Sequence, residues 1–172
     1  ALDKAYYSHA LDSVSAPGSD FTLKKYLKTE IDHKNIINIL RSIRQGIDQD
    51  TMAKIMIPGG RSISKETLAS MTKEKSLIDA VETLVKKSHG FDSRGLLEAI
   101  EASEEGTLDP VIQLLVKKRD ALLYSMSHRS PVSVLPVVHY IESKTHEVQN
   151  LRLLVRGKAA GLSNEVIKEH MR

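Results

Sequence analysis

Asp32-His33-Lys34-Asn35-Ile36-Ile37-Asn38-Ile39-Leu40-Arg41-Ser42-Ile43-Arg44-Gln45-Gly46-Ile47-Asp48 returns 115 residues later as Glu147-Val148-Gln149-Asn150-Leu151-Arg152-Leu153-Leu154-Val155-Arg156-Gly157-Lys158-Ala159-Ala160-Gly161-Leu162-Ser163. Asp32 falls on Glu147, Asn35 on Asn150, Arg41 on Arg156 and Gly46 on Gly161, and the offset runs without a gap to Met56 and Met171. Apolar positions keep step: Ile36 with Leu151, Ile39 with Leu154, Leu40 with Val155 and Met52 with Ile167. Upstream, Tyr26-Leu27 matches Tyr140-Ile141 after one inserted residue. Two amphipathic helices share apolar spacing easily by chance. An acid, an amide, a guanidinium and a glycine held at the same intervals point instead to duplication. Each copy reads as a helix, a glycine stop in the left-handed C-cap position, and a short helix capped by Asp48 or Ser163.

Helical periodicity continues outward from the two copies. Leu77, Val81, Leu84 and Val85 define one apolar face, with Thr72 or Ser76 as its cap and Lys86, Lys87 and Gly90 as its end. Asp109-Pro110 heads a helix that Val111, Leu114, Leu115, Ala121 and Leu122 carry to about Ser127. A long helix is expected from about Val132 to Ala160, with Pro136 near its start or marking a bend. Residues 2–14 read as the end of a helix, and Ala16-Pro17-Gly18-Ser19 as a breaker. No window alternates with period two, so the fold class is all-α, built of repeated multi-helix units. The expected organisation is an end of a preceding helical unit at 1–18, a repeat unit at 19–127, and a closing, partial copy at 128–172. The sequence opens at Ala1 in what reads as mid-helix, so an N-terminal portion is expected to be missing.

Composition narrows the function classes. Hydrophobic residues make up 41% and charged residues 27%, which suits a globular protein and not a disordered one. Only 4% are aromatic and none is Trp, so the core must be aliphatic. The absence of cysteine excludes disulfides, thiolate metal sites and a Cys nucleophile, and fits a reducing, cytoplasmic compartment. Apolar runs such as Leu151 to Val155 are broken by charge long before membrane-spanning length, so no direct membrane insertion is expected. Residues 1–114 hold 15 Lys/Arg against 17 Asp/Glu, whereas residues 115–172 hold 10 against 5. A basic final third suits an acidic protein, anionic headgroups or nucleic acid.

No catalytic, cofactor-binding or metal-binding residue emerges. Pro58-Gly59-Gly60-Arg61 lacks the spacing and preceding strand of a phosphate loop and reads as a turn, with Ser64 capping the next helix. His139 and His146 share a helix face without a third ligand spaced to join them. Glu98, Glu101, Glu104 and Glu105 read as a solvated acidic face. Asp32 with Asn35, and Glu147 with Asn150, lie three apart on one side of a helix. Copied into two lobes that face different neighbours, they are expected to satisfy backbone or Arg groups between packed helices, with Arg41, Gly46, Arg156 and Gly161 completing the structural motif. Arg152 and Arg156 are one turn apart beside Gln149, and guanidinium forks suit a partner's carboxylates. Arg156 has its counterpart in Arg41 whereas Arg152 falls on Ile37, so Gln149, Arg152 and Lys158 are the expected partner interface. Gly157, Ala159, Ala160 and Gly161 are small enough to let another helix approach closely.

Two rival functions are testable against these residues. Ala159-Ala160-Gly161-Leu162-Ser163 followed by Ile167 has the outline of a helix-turn-helix, and the pI near 9.0 agrees with nucleic-acid binding. Against it, the second helix would begin Ser163-Asn164-Glu165, and the other copy Asp48-Gln49-Asp50, placing acids where phosphates must sit. An enzyme would need a cleft assembled from distant residues, for which no paired carboxylates or Ser/His/Asp order argue.

The stretch Leu135-Pro136-Val137-Val138-His139-Tyr140-Ile141, followed by Glu147 to Lys158 and closed by Gly161-Leu162-Ser163-Asn164-Glu165-Val166-Ile167, resembles the C-terminal signature of the C subunit of V-type and A-type ATP synthases, the relative of the eukaryotic d subunit. Glu30-Ile31-Asp32 with Asn35 and Pro58-Gly59-Gly60 resembles the same family, as does the opening Leu2-Asp3-Lys4-Ala5-Tyr6-Tyr7; between 62 and 130 the likeness is weak. The resemblance implies three similar helical units arranged as a pseudo-threefold funnel, of which this chain holds the C-terminal half. It also implies a non-catalytic part without cofactors, seated on the membrane rotor ring and receiving the foot of the central shaft, at the cytoplasmic edge of the membrane. Surfaces that the missing lobe covers would let the shorter chain self-associate.

Overall fold

A computed structural model describes residues 2–15, 18, 20–88, 90–103 and 107–171, and among these every regular element is a helix. Ala16, Pro17 and Ser19 of the expected breaker, and Glu104 and Glu105 of the acidic run, lie outside the described residues. The helices are α1 (Leu2–Ser13), α2 (Phe21–Arg44), α3 (Gln49–Ile55), α4 (Lys65–Met71), α5 (Leu77–Lys87), α6 (Leu96–Glu101), α7 (Asp109–Arg129), α8 (Leu135–Ala159) and α9 (Asn164–Glu169). The chain divides into two compact units, Ala1–Arg119 and Asp120–Arg172.

The first unit is organised by α2. Asp20 starts it by accepting the Thr22 N–H at 2.8 Å, which satisfies one of the donors that a helix start leaves free. One face of α2 buries Ile36, Ile39 and Leu40 against α4, α5, α6 and the first turns of α7, where Met71, Val81, Leu84 and Leu115 complete an aliphatic core. Another face buries Ile31 against Tyr7 and Leu11 of α1 and against Ile57. Ser64 caps α4 by accepting the Thr67 N–H at 3.1 Å, and Ser76, not Thr72, caps α5 by accepting the Ile78 N–H at 3.3 Å. Thr72 instead closes α4, its N–H donating to the Leu68 carbonyl.

The repeat is visible bond by bond. α2 and α8 end at the same repeat position. After α2, the Gln45 N–H donates to Arg41 O, the Gly46 N–H to Ile43 O and the Ile47 N–H to Ser42 O. After α8, Ala160 donates to Arg156, Gly161 to Lys158 and Leu162 to Gly157, each pair displaced by the same offset. Both stops are Schellman turns, and both need φ > 0 at the residue after the cap. Gly46 has φ +64° and Gly161 φ +73°, a region that L side chains enter only with strain. Asp48 and Ser163 then cap α3 and α9 by accepting the N–H groups of Thr51 and Val166.

In the second unit, the last turns of α7 pack along α8, with the Tyr124 ring 5.6 Å from His139 and His146 Nδ1 3.5 Å from Asp120. Pro136 lies in the first turn of α8, where its missing N–H leaves no bond unmade, so it starts the helix and does not bend it. α9 returns against the end of α8. A side chain at Gly157 would stand 2.8 Å from Ile167 Cγ1, so only glycine admits that contact. The other copy has Ser42 and the unbranched Met52 at these two positions.

Leu84 is wholly buried, so Leu84→Ala is expected to lower the unfolding free energy by about 2–5 kcal/mol in urea. Val155→Ala, on an exposed position of α8, should change it by less than about 0.5 kcal/mol. Similar losses for both would contradict this placement of the core.

Candidate functional site

The polar motif of the first copy is built into the interior. Asn35 Nδ2 donates to Ile57 O at 2.9 Å, and the Ile57 N–H donates to Asn35 Oδ1 at 2.9 Å. A carboxamide carries one donor and one acceptor side by side, so it satisfies both groups of one residue's backbone at once. One helical turn earlier, Asp32 Oδ2 accepts the N–H groups of Arg61 at 3.0 Å and Ser62 at 2.7 Å. Asp32 is 0% exposed, and its Oδ1 faces Gly60, where any Cβ would collide with it. Burial pushes the Asp32 carboxyl above its ordinary range, against the lowering effect of the Ser62, Arg61 and Ile63 amides. The Pro58–Arg61 turn is therefore held from below by two side chains of one helix face, and Gly60 supplies the close approach.

Around this clamp lie other buried polar groups. The His33 ring meets Phe91 edge-on at 5.4 Å, and its Nδ1 is buried without a partner. Burial, reinforced by the positive Arg119 and Lys118, lowers its pKa to about 4. Burial and then the Glu30 carboxylate push the Tyr7 phenol well above its usual value, and Glu30 in turn lies 3.9 Å from the Arg119 guanidinium. Near the surface, Arg94 at 2.7 Å and Lys118 at 2.8 Å hold the Asp92 carboxyl well below the usual range.

The second copy places the same motif in a different setting. Glu147 is exposed and paired with Lys144 at 2.6 Å. Asn150 is half-buried, and the repeat counterpart of Ile57, the residue that Asn35 clamps, is Arg172, outside the described residues. Arg41 and Arg156 both point their side chains outward, while their carbonyls accept the cap bonds described above. Gln149, Arg152 and Lys158 are exposed on α8, and Lys158 donates to Asn164 Oδ1. His139 and His146 face α7, toward Tyr124 and Asp120.

In the first unit, Phe21, Lys24, Lys25, Lys28 and Arg61 line an open basic recess of about 450 Å³. Among the described residues no three His, Asp or Glu side chains gather as a metal-binding set. No described helix is long and apolar enough to cross a membrane. Asp32 and Asn35 were expected to satisfy backbone or Arg groups, but their partners, Ile57 and the amides behind Gly60, were beyond sequence reasoning. Asn35 and Ile57 are 22 residues apart, and nothing in the local pattern singles out that pairing.

These features define a helical scaffold made from a duplicated motif, with the buried Asn35 and Asp32 bound to its own backbone. The chain belongs to the ATP synthase (C/AC39) subunit family, whose model matches residues 1–170. It is 31% identical over 99% of its length to the C subunit of the A-type ATP synthase of Methanococcoides burtonii, covering 47% of that protein. It is 33% identical over 98% of its length to that of Haloquadratum walsbyi, again covering 47%, and 32% identical over 99% to that of Haloferax volcanii, covering 48%. The chain spans about half the length of the curated relatives it matches. No solved structure matches it.

Asn35→Ala strips partners from a buried N–H and a buried C=O, and is expected to destabilise the first unit by about 2–4 kcal/mol. Chemical denaturation followed by circular dichroism measures this, and a loss below about 1 kcal/mol would deny the clamp its role. His33 adds a pH dependence. Its folded pKa lies below the ordinary 6.5, so its contribution is present above pH 6.5 and lost as pH falls toward about 4. The loss is on the order of 3 kcal/mol over that window. His33→Leu should flatten this part of the stability–pH profile, and an unchanged profile would refute the assignment.

Proposed function

We infer that this chain is a non-catalytic coupling subunit of a rotary V/A-type ATPase, joining the central shaft to the membrane rotor ring so that ion translocation and ATP turnover stay coupled. The single observation behind this is membership of the ATP synthase (C/AC39) subunit family along residues 1–170. The geometry agrees with a mechanical part. The buried Asn35 and Asp32 hold the chain's own backbone, and the two copies repeat one rigid helix–turn–helix corner. The organisation into 1–18, 19–127 and 128–172 is then the family's repeated construction, and Gln149, Arg152 and Lys158 on the exposed side of α8 are the residues that meet other subunits. Such a part works peripherally, at the cytoplasmic face of the membrane, and needs no cofactor.

Nucleic-acid recognition has little in its favour. α9 is only six residues long, and Glu165 is exposed in its first turn, where a recognition helix would meet phosphates.

Calorimetric titration of the chain with the purified central-shaft subunits, at about 0.05 M and about 0.5 M salt, tests the coupling role. Binding at both, weaker at the higher salt, is expected. No heat at either concentration, with helical circular dichroism intact, would remove the coupling function from consideration.

A further inference from the structure

α8 has two opposite faces. Leu135, Glu142, His146, Leu153 and Gly157 are buried or half-buried and follow the 3.6-residue turn of a helix packed in its own unit. On the outward face, Val137, Ile141, Val148, Leu151 and Val155 recur at intervals of four, seven, three and four residues. All five are between 45% and 67% exposed. Ile141, Val148 and Val155 stand seven apart, with Val137 and Leu151 at alternating four- and three-residue steps from them, a heptad frame of the kind that keeps a stripe of side chains against a neighbouring helix. Ile141, Val148 and Val155 take the a positions, and Val137 and Leu151 the d positions. β-branched residues at a and Leu at d favour two parallel strands.

The two remaining d positions say which partner fits. They hold Lys144 and Lys158, two heptads apart with Leu151 midway. In a parallel pair of two copies, each lysine would meet its own equivalent across a partly dry seam, where like ammonium charges repel and lose hydration. Carboxylates opposite them would instead form charged pairs. Arg152, at the flanking e position, adds a third cation to this face. In the free chain Lys144 is paired with Glu147 and Lys158 with Asn164, exposed bonds that a partner's carboxylates can replace.

We propose that the outward face of α8 is one strand of a heterotypic, parallel two-stranded coiled coil. Its partner is an α-helix of another polypeptide with an apolar heptad seam and two acidic residues, two heptads apart, opposite Lys144 and Lys158. This docking face shares Arg152 and Lys158 with the surface proposed above to meet other subunits, but it is argued from the spacing, exposure and charge of α8 and requires neither the shaft nor the ring.

A synthetic peptide about four heptads long, with Ile at a and Leu at d except for Glu at the two positions facing the lysines, is titrated into the full 172-residue chain by calorimetry. A one-to-one complex in the micromolar range is expected, with at least about tenfold weaker binding when the two Glu are replaced by Lys. Lys144→Glu combined with Lys158→Glu should reverse that preference, and Leu151→Asp, at an exposed position, should abolish binding without changing the melting temperature. Equal affinity for both peptides, or no binding by either with the helical spectrum intact, overturns the proposal. Sedimentation showing a dimer that the acidic peptide does not dissociate overturns it too, by making a second copy the occupant. No ATPase component enters the experiment, so its failure and that of the coupling role are told apart.

Discussion

The fold of the first unit depends on a side-chain amide that behaves like a piece of backbone. After α3 the chain must turn back over α2, exposing peptide groups to the interior where no helix or sheet ladder is at hand. Asn35 offers its own donor and acceptor to Ile57, and this one residue is tied down through both groups. The Ile57 side chain is thereby set between Tyr7 and Ile31, which fixes α1 on α2. Asp32, a turn earlier, takes the next free amides, and the missing side chain of Gly60 lets the turn sit close on it. α4 to α6 then enter from this corner and close over Ile36, Ile39 and Leu40.

Local signals were legible because they depend on neighbours in sequence. The aliphatic period, the caps at Asp48, Ser64 and Ser163 and the glycine stops concern residues within one or two turns of each other, as do the two choices the sequence left open, Thr72 or Ser76 as a cap and start or bend at Pro136. The Asn35–Ile57 clamp was not legible, since its two ends are far apart and each has many possible partners. Gly60 was readable as a turn residue, but its reason, the approach to Asp32, is a three-dimensional one. The edge contact of His33 with Phe91 likewise joins α2 to a loop beyond α5, and nothing in the local pattern announces it.

The two copies show how far one motif can diverge while its corner stays fixed. The short carboxylate of Asp32 has few rotors to immobilise and accepts the Arg61 and Ser62 N–H groups directly. The longer Glu147, exposed on its helix, reaches out to Lys144. Shared position therefore does not mean shared work. What the copies keep in common is the set of hydrogen bonds that stops the helix, which depends on a glycine and hardly on the surrounding side chains.

The exchange of Ser42 and Met52 for Gly157 and Ile167 has a consequence for how such copies drift. In the second copy the branched Ile167 occupies the very space that a side chain at 157 would need, so neither position is free to change alone. The second copy has lost the side chain on the long helix and carries a branched one on the short helix at the same corner. Substitutions here are linked in pairs, and a residue transplanted singly from one copy to its equivalent in the other meets a neighbour shaped for a different companion.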